Sequence, residues 1–76
     1  MITVYSTPTC PWCFRTKEFL KQNNITFKDV DVSRDRAGAM EMIEKSGQMG
    51  VPVIDINGEI IIGFDKERIK DLLNIK

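Results

Sequence analysis

Two cysteines, Cys10 and Cys13, stand three residues apart with Pro11 and Trp12 between them, in a chain that contains no histidine. A loop that short cannot staple a fold, so the pair points to disulfide exchange or to metal binding. The lack of histidine excludes a Cys/His hydrolase, because no imidazole is present to act as general base. The C-P-W-C run makes local sense if Cys10 is a helix N-cap. Pro11 then falls at N1, where its fixed φ suits the helix and its missing N–H leaves nothing unsatisfied. The N–H groups of Trp12 and Cys13 are then expected to face the Cys10 sulfur. Together with the positive helix terminus they favour a thiolate there, which makes Cys10 the nucleophile. Cys13, at N3, follows on the same side of the helix and deeper, placed to attack a mixed disulfide on Cys10 and resolve it. Two thiolates are also half of a tetrahedral metal site, so a dimeric metal or iron-sulfur module is the competing reading. Pro11 argues for the redox pair, since a rigid helix start holds the two sulfurs ready for each other. Trp12, a large ring beside an exposed sulfur, is expected to form part of a docking surface.

The elements that must hold this pair can be read from patterning. Ile2 to Ser6 reads as a first strand stopped by Thr7-Pro8. A helix follows from Pro11 to about Asn23, its apolar stripe Phe14, Phe19 and Leu20 with small Thr16 beside them, closed by Asn23-Asn24. Ile25 to Val32 reads as a second strand with an irregularity near Lys28-Asp29. Ser33 is expected to cap a second helix with Asp35 in its first turn, the stripe Ala37, Met40 and Ile43, and Gly47 as its stop. Pro52 to Ile56 and Glu59 to Ile62 flank Asn57-Gly58, the pair that a two-residue type I′ hairpin requires. Asp65 caps a last helix with the stripe Ile69, Leu72 and Leu73, and Phe64 and Ile69 stand at the positions of a hydrophobic staple. The order βαβαββα predicts a single α/β domain over residues 1–76 with a right-handed parallel crossover. Ligands bind at the carboxyl ends of strands in such sheets, which is where the loop carrying Cys10 lies.

Composition narrows the function classes. Seventy-six residues allow one small domain and one site, and 15 of the 32 apolar residues are Ile or Val, which suits strands. Eleven basic residues balance eleven acidic ones, so no general field attracts nucleic acid or an anionic membrane. The longest apolar run, Ile60 to Ile62, is far short of a membrane span, and Met1-Ile2-Thr3-Val4 carries no leader pattern. A soluble, cytoplasmic protein is expected.

Three motifs then stand in order at fitting distances: Cys10-Pro11-Trp12-Cys13 after the first strand, Gly50-Val51-Pro52-Val53 opening the third, and Gly63-Phe64-Asp65 opening the last helix. Over nearly the whole chain the sequence resembles the glutaredoxin family of the thioredoxin fold, and more narrowly the short bacterial glutaredoxin-like redoxins. The resemblance implies a thioredoxin-like four-stranded mixed sheet flanked by three helices, with Pro52 after a cis peptide facing Cys10. It implies a dithiol-disulfide oxidoreductase with Cys10 and Cys13 catalytic and Pro11, Trp12, Val51, Pro52, Gly63, Phe64 and Asp65 around the substrate. The backbone of Val51 would pair with a bound peptide or glutathione strand, and the helix terminus at Asp65 would take a carboxylate or amine. The expected chain is a monomer with no metal and no bound cofactor, using glutathione as co-substrate and acting on disulfide-containing proteins. Two departures from the glutathione pattern bear on the reductant. Ser6-Thr7-Pro8-Thr9 lacks a basic residue before the cysteines, and Ile62-Gly63-Phe64-Asp65-Lys66 replaces the usual G-G-x-D-D. The same departures occur in redoxins resembling the ribonucleotide-reductase electron donors, which take electrons from a thioredoxin-reductase-type flavoprotein.

Overall fold

The chain runs β1 (Ile2–Ser6), α1 (Pro11–Gln22), β2 (Lys28–Asp31), α2 (Arg36–Ser46), β3 (Val53–Ile56), β4 (Glu59–Ile62) and α3 (Lys66–Leu73). The computed structural model describes residues 2–74; of the expected domain over 1–76, Met1, Ile75 and Lys76 lie outside the described residues. The sheet order is β2-β1-β3-β4, with β1 parallel to β2, and with β1 to β3 and β3 to β4 antiparallel. This is the expected four-stranded mixed sheet with three helices.

Local chemistry sets most of the element ends. Asn24 takes a left-handed φ of 57° after α1. The Ile25 N–H then reaches the Leu20 carbonyl at 2.9 Å and the Asn24 N–H reaches that of Lys21 at 3.0 Å. These are the two bonds of a Schellman stop, and its usual apolar contact is present because Ile25 packs on the cluster that holds Leu20. Asn57 and Gly58 have φ of 51° and 98°, which joins β3 to β4 by the predicted tight turn and sets the register Ile56 opposite Glu59. The Asp65 carboxylate accepts the Arg68 N–H at 3.2 Å and caps α3, with Phe64 packed on the cluster that holds Ile69.

Strand alternation divides the core in two. Val4, Ile54, Ile56 and Ile61 face Leu20 of α1 and Ile69 of α3, whereas Tyr5, Val30 and Val53 face Met42 of α2. Full burial of each such side chain contributes roughly 1.5–3 kcal/mol. Under α2 the apolar layer is interrupted by a polar group. Lys45 Nζ donates to Asp55 Oδ2 at 2.6 Å and to the Tyr5 hydroxyl at 3.1 Å. The Tyr5 hydroxyl in turn donates to Glu41 Oε1 at 2.5 Å, and Asp55 Oδ1 accepts the Gly58 N–H at 2.8 Å. The network ties α2 to the hairpin. No described helix is long and apolar enough to cross a membrane.

Five expectations are corrected. Phe14 is 63% exposed, and the inner face of α1 is Cys13, Thr16 and Leu20. The second strand is shorter than Ile25 to Val32, because Ile25 and Phe27 pack on the core from the connection ahead of Lys28. The cap of α2 is Asp35, which accepts the Gly38 N–H at 2.9 Å, since Ser33 spends its hydroxyl on Asp31 at 2.5 Å. The helix therefore starts two residues later and turns Gly38 and Met42 inward, leaving Ala37, Met40 and Ile43 exposed. Gly38 sits so near β2 that a Cβ there would lie 2.5 Å from Val30 Cγ1. On α3, Ile69 is buried and Leu73 packs beneath it, while Leu72 is 37% exposed. Pro52 is buried but precedes β3 instead of opening it.

Candidate functional site

Cys10 is the N-cap of α1, with φ −94° and ψ 112°, and Pro11 occupies N1. Of the two N–H groups expected to face its sulfur, that of Cys13 makes the bond, at 3.2 Å. The loop is closed behind it by the Cys10 N–H to the Thr7 carbonyl at 3.4 Å. Sγ of Cys10 is partly exposed and lies 3.9 Å from the Val51 carbonyl, so the loop before β3 faces the sulfur. The Val51-Pro52 peptide is cis, and the Pro52 carbonyl accepts the Gly63 N–H at 2.8 Å, which ties the two loops together.

Cys13 is the opposite kind of thiol. It is fully buried, and burial, then the neighbouring Cys10 sulfur, push its pKa up to about 11. The Thr7 backbone N–H and the charge of Lys17 pull weakly the other way. Lys17, four residues after Cys13, donates to Asp29 Oδ2 at 3.0 Å and to the buried Ser6 hydroxyl at 3.3 Å. Ser6 donates in turn to Asp29 Oδ1 at 2.9 Å. This small polar cluster was not read from the sequence; the only local signal was a lysine one turn beyond Cys13.

Of the expected residues, Trp12, Val51, Pro52, Gly63 and Phe64 line one open groove of about 270 Å³, and Pro11 lies outside that lining. Asp65 stands next to Phe64 with its carboxylate engaged as the α3 cap. Along the groove runs a row of rings: Trp12 and Phe64 lie 6.4 Å apart and Phe64 and Phe19 5.8 Å apart. On the other side of the nucleophile lies a second, shallower depression of about 510 Å³, lined by Pro8, Thr9, Cys10, Pro11, Phe14 and Arg15. Sequence reasoning missed this depression because it assigned Phe14 to the core. Among the described residues, no three His, Cys, Asp or Glu side chains converge as a metal-ligand set.

Chemically, the arrangement offers one accessible sulfur with a donor aimed at it, and one concealed sulfur that keeps its proton. Comparison with known proteins bears on the family and the fold. The chain matches the Glutaredoxin family model over residues 2–61. It is 56% identical over 73 residues, covering 96% of this chain and 97% of the other, to a glutaredoxin-like 8.6 kDa protein in the rubredoxin operon of Clostridium pasteurianum. It is 34% identical over 64 residues to glutaredoxin 3 of Escherichia coli strain K12, covering 84% of this chain and 77% of that one. The crystal structure of the thioredoxin-like protein BC3987 superimposes with a TM-score of 0.90 at 36% identity, covering 95% of this chain and 99% of that one. A glutaredoxin from Archaeoglobus fulgidus superimposes at 0.87 with 27% identity, covering 95% and 84%.

Proposed function

The chain belongs to the glutaredoxin family, and from that premise we propose that it is a dithiol-disulfide oxidoreductase acting on protein disulfides and glutathione mixed disulfides. The observation that carries this reading is the inequality of the two sulfurs. Cys10 is open to a partner and accepts the Cys13 N–H, while Cys13 is buried and holds its proton.

In the first step the Cys10 thiolate attacks one sulfur of the substrate disulfide. A Cys10–substrate S–S bond forms, the substrate S–S bond breaks, and the departing sulfur leaves as a thiolate that takes up a proton. Consuming the Cys10 thiolate removes the like-charge contribution that helped hold the proton on Cys13. Cys13 then loses its proton and attacks Cys10 Sγ. The mixed disulfide breaks, the second substrate sulfur departs as a thiol, and Cys10–Cys13 is left oxidised. Two electrons have passed to the substrate, and an external reductant restores the dithiol. The Val51 carbonyl, facing the sulfur across the groove, is placed to pair with an extended substrate segment.

A second reading of the reductant rests on the two departures from the glutathione pattern, the Ser6-Thr7-Pro8-Thr9 stretch without a basic residue and Ile62-Gly63-Phe64-Asp65-Lys66 in place of G-G-x-D-D. In that reading the electrons come from a thioredoxin-reductase-type flavoprotein. The test is a pair of variants assayed by free-thiol count and Trp12 fluorescence. Cys10→Ser is expected to abolish exchange with every disulfide; Cys13→Ser is expected to stop at a mixed disulfide on Cys10 with protein disulfides, and to spare a one-cysteine reaction with glutathione mixed disulfides if glutathione is used. Full turnover by Cys10→Ser refutes the assignment. Reduction of the oxidised chain by dithiothreitol but not by glutathione selects the flavoprotein reading.

A further inference from the structure

The aromatic row beside the nucleophile ends in a cation on each side. The Arg15 guanidinium sits over the Trp12 ring at 4.9 Å, and Lys66 Nζ sits over the Phe19 ring at 5.6 Å. Both side chains belong to exposed residues. Among the described residues the ion pairs involve Lys17, Arg34, Lys45 and Arg68, and no carboxylate comes within 4.0 Å of Arg15 or Lys66. Of the acids nearest in sequence, Asp65 has its carboxylate on the Arg68 N–H, and neither Glu67 beside Lys66 nor Glu18 beyond Arg15 forms an ion pair with these two cations. In a chain whose formal charges sum to zero, two cations are thus held on ring faces at the two ends of the row that starts at Trp12 beside the reactive sulfur, with their charge left for an incoming group. Arg15 also lines the second depression, which shares Cys10 and Pro11 with the redox site, so it stands between the two recesses that flank the nucleophile. Exposed Phe14 gives that depression an apolar wall.

Building on the redox reading above, we infer that Arg15 and Lys66 make this face selective for an acidic protein segment. The occupant is an extended stretch of a disulfide-containing substrate protein, with carboxylates spaced along the ring row that begins beside Cys10. The surface is continuous with Cys10, its rings accept the apolar parts of the segment, and the two cations take its carboxylates. Rim charges of this kind act mainly on the rate of association and on partner choice. Neither cation touches the reacting sulfurs, so their effect is read in selectivity for charge, which general damage to the site would not produce.

The experiment uses the full reduced chain and three probes. Two are synthetic peptides with the same internal disulfide, flanked by Asp and Glu in one and by Lys in the other; the third is neutral hydroxyethyl disulfide. Single-turnover rates are followed by Trp12 fluorescence at low and high ionic strength. At low ionic strength the acidic peptide is expected to react about tenfold faster than the basic one, with the gap closing as salt is added. The double substitution Arg15→Gln with Lys66→Gln is expected to remove the preference, and Arg15→Glu with Lys66→Glu to invert it. Lys28→Gln, at the start of β2 and not one of the two ring-bound cations, deletes one positive charge and is expected to keep the preference. Equal rates for the two peptides, or a preference that survives the double substitution, overturn the inference while leaving the redox reading intact. Failure to react with any probe, hydroxyethyl disulfide included, defeats the redox reading and this inference with it.

Discussion

Removing the Cys13 thiol is expected to change how stability depends on pH. The group is fully buried and its pKa stands at about 11 in the fold, against an ordinary 9.0. Between those values the folded chain keeps a proton that the unfolded chain releases, so stability falls as pH rises. Below about pH 8 both states hold the proton and Cys13 contributes no slope. At pH 10 the unfolded thiol is mostly ionised and the folded one mostly neutral, and the loss relative to pH 7 is on the order of 1 kcal/mol. Above both values the loss levels off at roughly 3 kcal/mol. The measurement is urea unfolding of the reduced chain and of Cys13→Ala, both kept in a phosphine reductant, from pH 7 to pH 10.5. Tyr5 and Lys45 are present in both, so the difference between the two pH profiles reports Cys13 together with its coupling to Cys10. For a chain this small an m-value of about 1 kcal/mol/M converts the effect into a midpoint shift of ~1 M urea at pH 10. Parallel profiles would refute the view that burial holds the proton on Cys13.

Two further outcomes follow from the α2 face. Gly38→Ala, which improves most helices by about 0.5–1 kcal/mol, is expected here to destabilise by about 1–2 kcal/mol, because the new Cβ meets Val30 Cγ1 at 2.5 Å. In a Val30→Ala background the same substitution is expected to be neutral or stabilising, as read by urea midpoints. Burial opposes ionisation of Asp55, but Lys45 and the Gly58 N–H outweigh it and leave the carboxyl below its ordinary 3.8. Its contribution is present above that value and is lost as pH falls through the folded pKa. Asp55→Asn is therefore expected to lower stability by about 1–3 kcal/mol at pH 7 and to flatten the loss below pH 4, measured by thermal melts across pH 2–7.

What the sequence made legible were the places where a few adjacent residues settle the backbone. Cys10-Pro11, Asn24, Asn57-Gly58 and Asp65 each solve a local hydrogen-bond or φ requirement, and the structure uses all four. The phase of α2 was hidden because Ser33 and Asp35 are both good caps, and only the competing carboxylate of Asp31 decides between them. Phe14 misled for a related reason: an apolar residue in the first turn of α1 fits a core stripe, yet here that turn sits over the redox site and the ring faces outward. Cys10 and Cys13 were legible from type and spacing, and the groove residues from resemblance. The Lys17–Ser6–Asp29 and Tyr5–Lys45–Asp55 groups were not, since their members are 10 to 40 residues apart and share no local pattern.

The separation along the chain between the sulfurs and the groove that faces them bears on how the thiols behave while the protein is being made. Both cysteines leave the ribosome early, but Val51, Pro52, Gly63 and Phe64 follow some 40 to 50 residues later. The central pairing of β1 with β3 likewise waits for Val53–Ile56. Until that pairing closes, no core buries Cys13 and no groove faces Cys10, so both thiols are open to any oxidant. Completion of the sheet silences one and presents the other, so selectivity is a property acquired only with the last third of the chain.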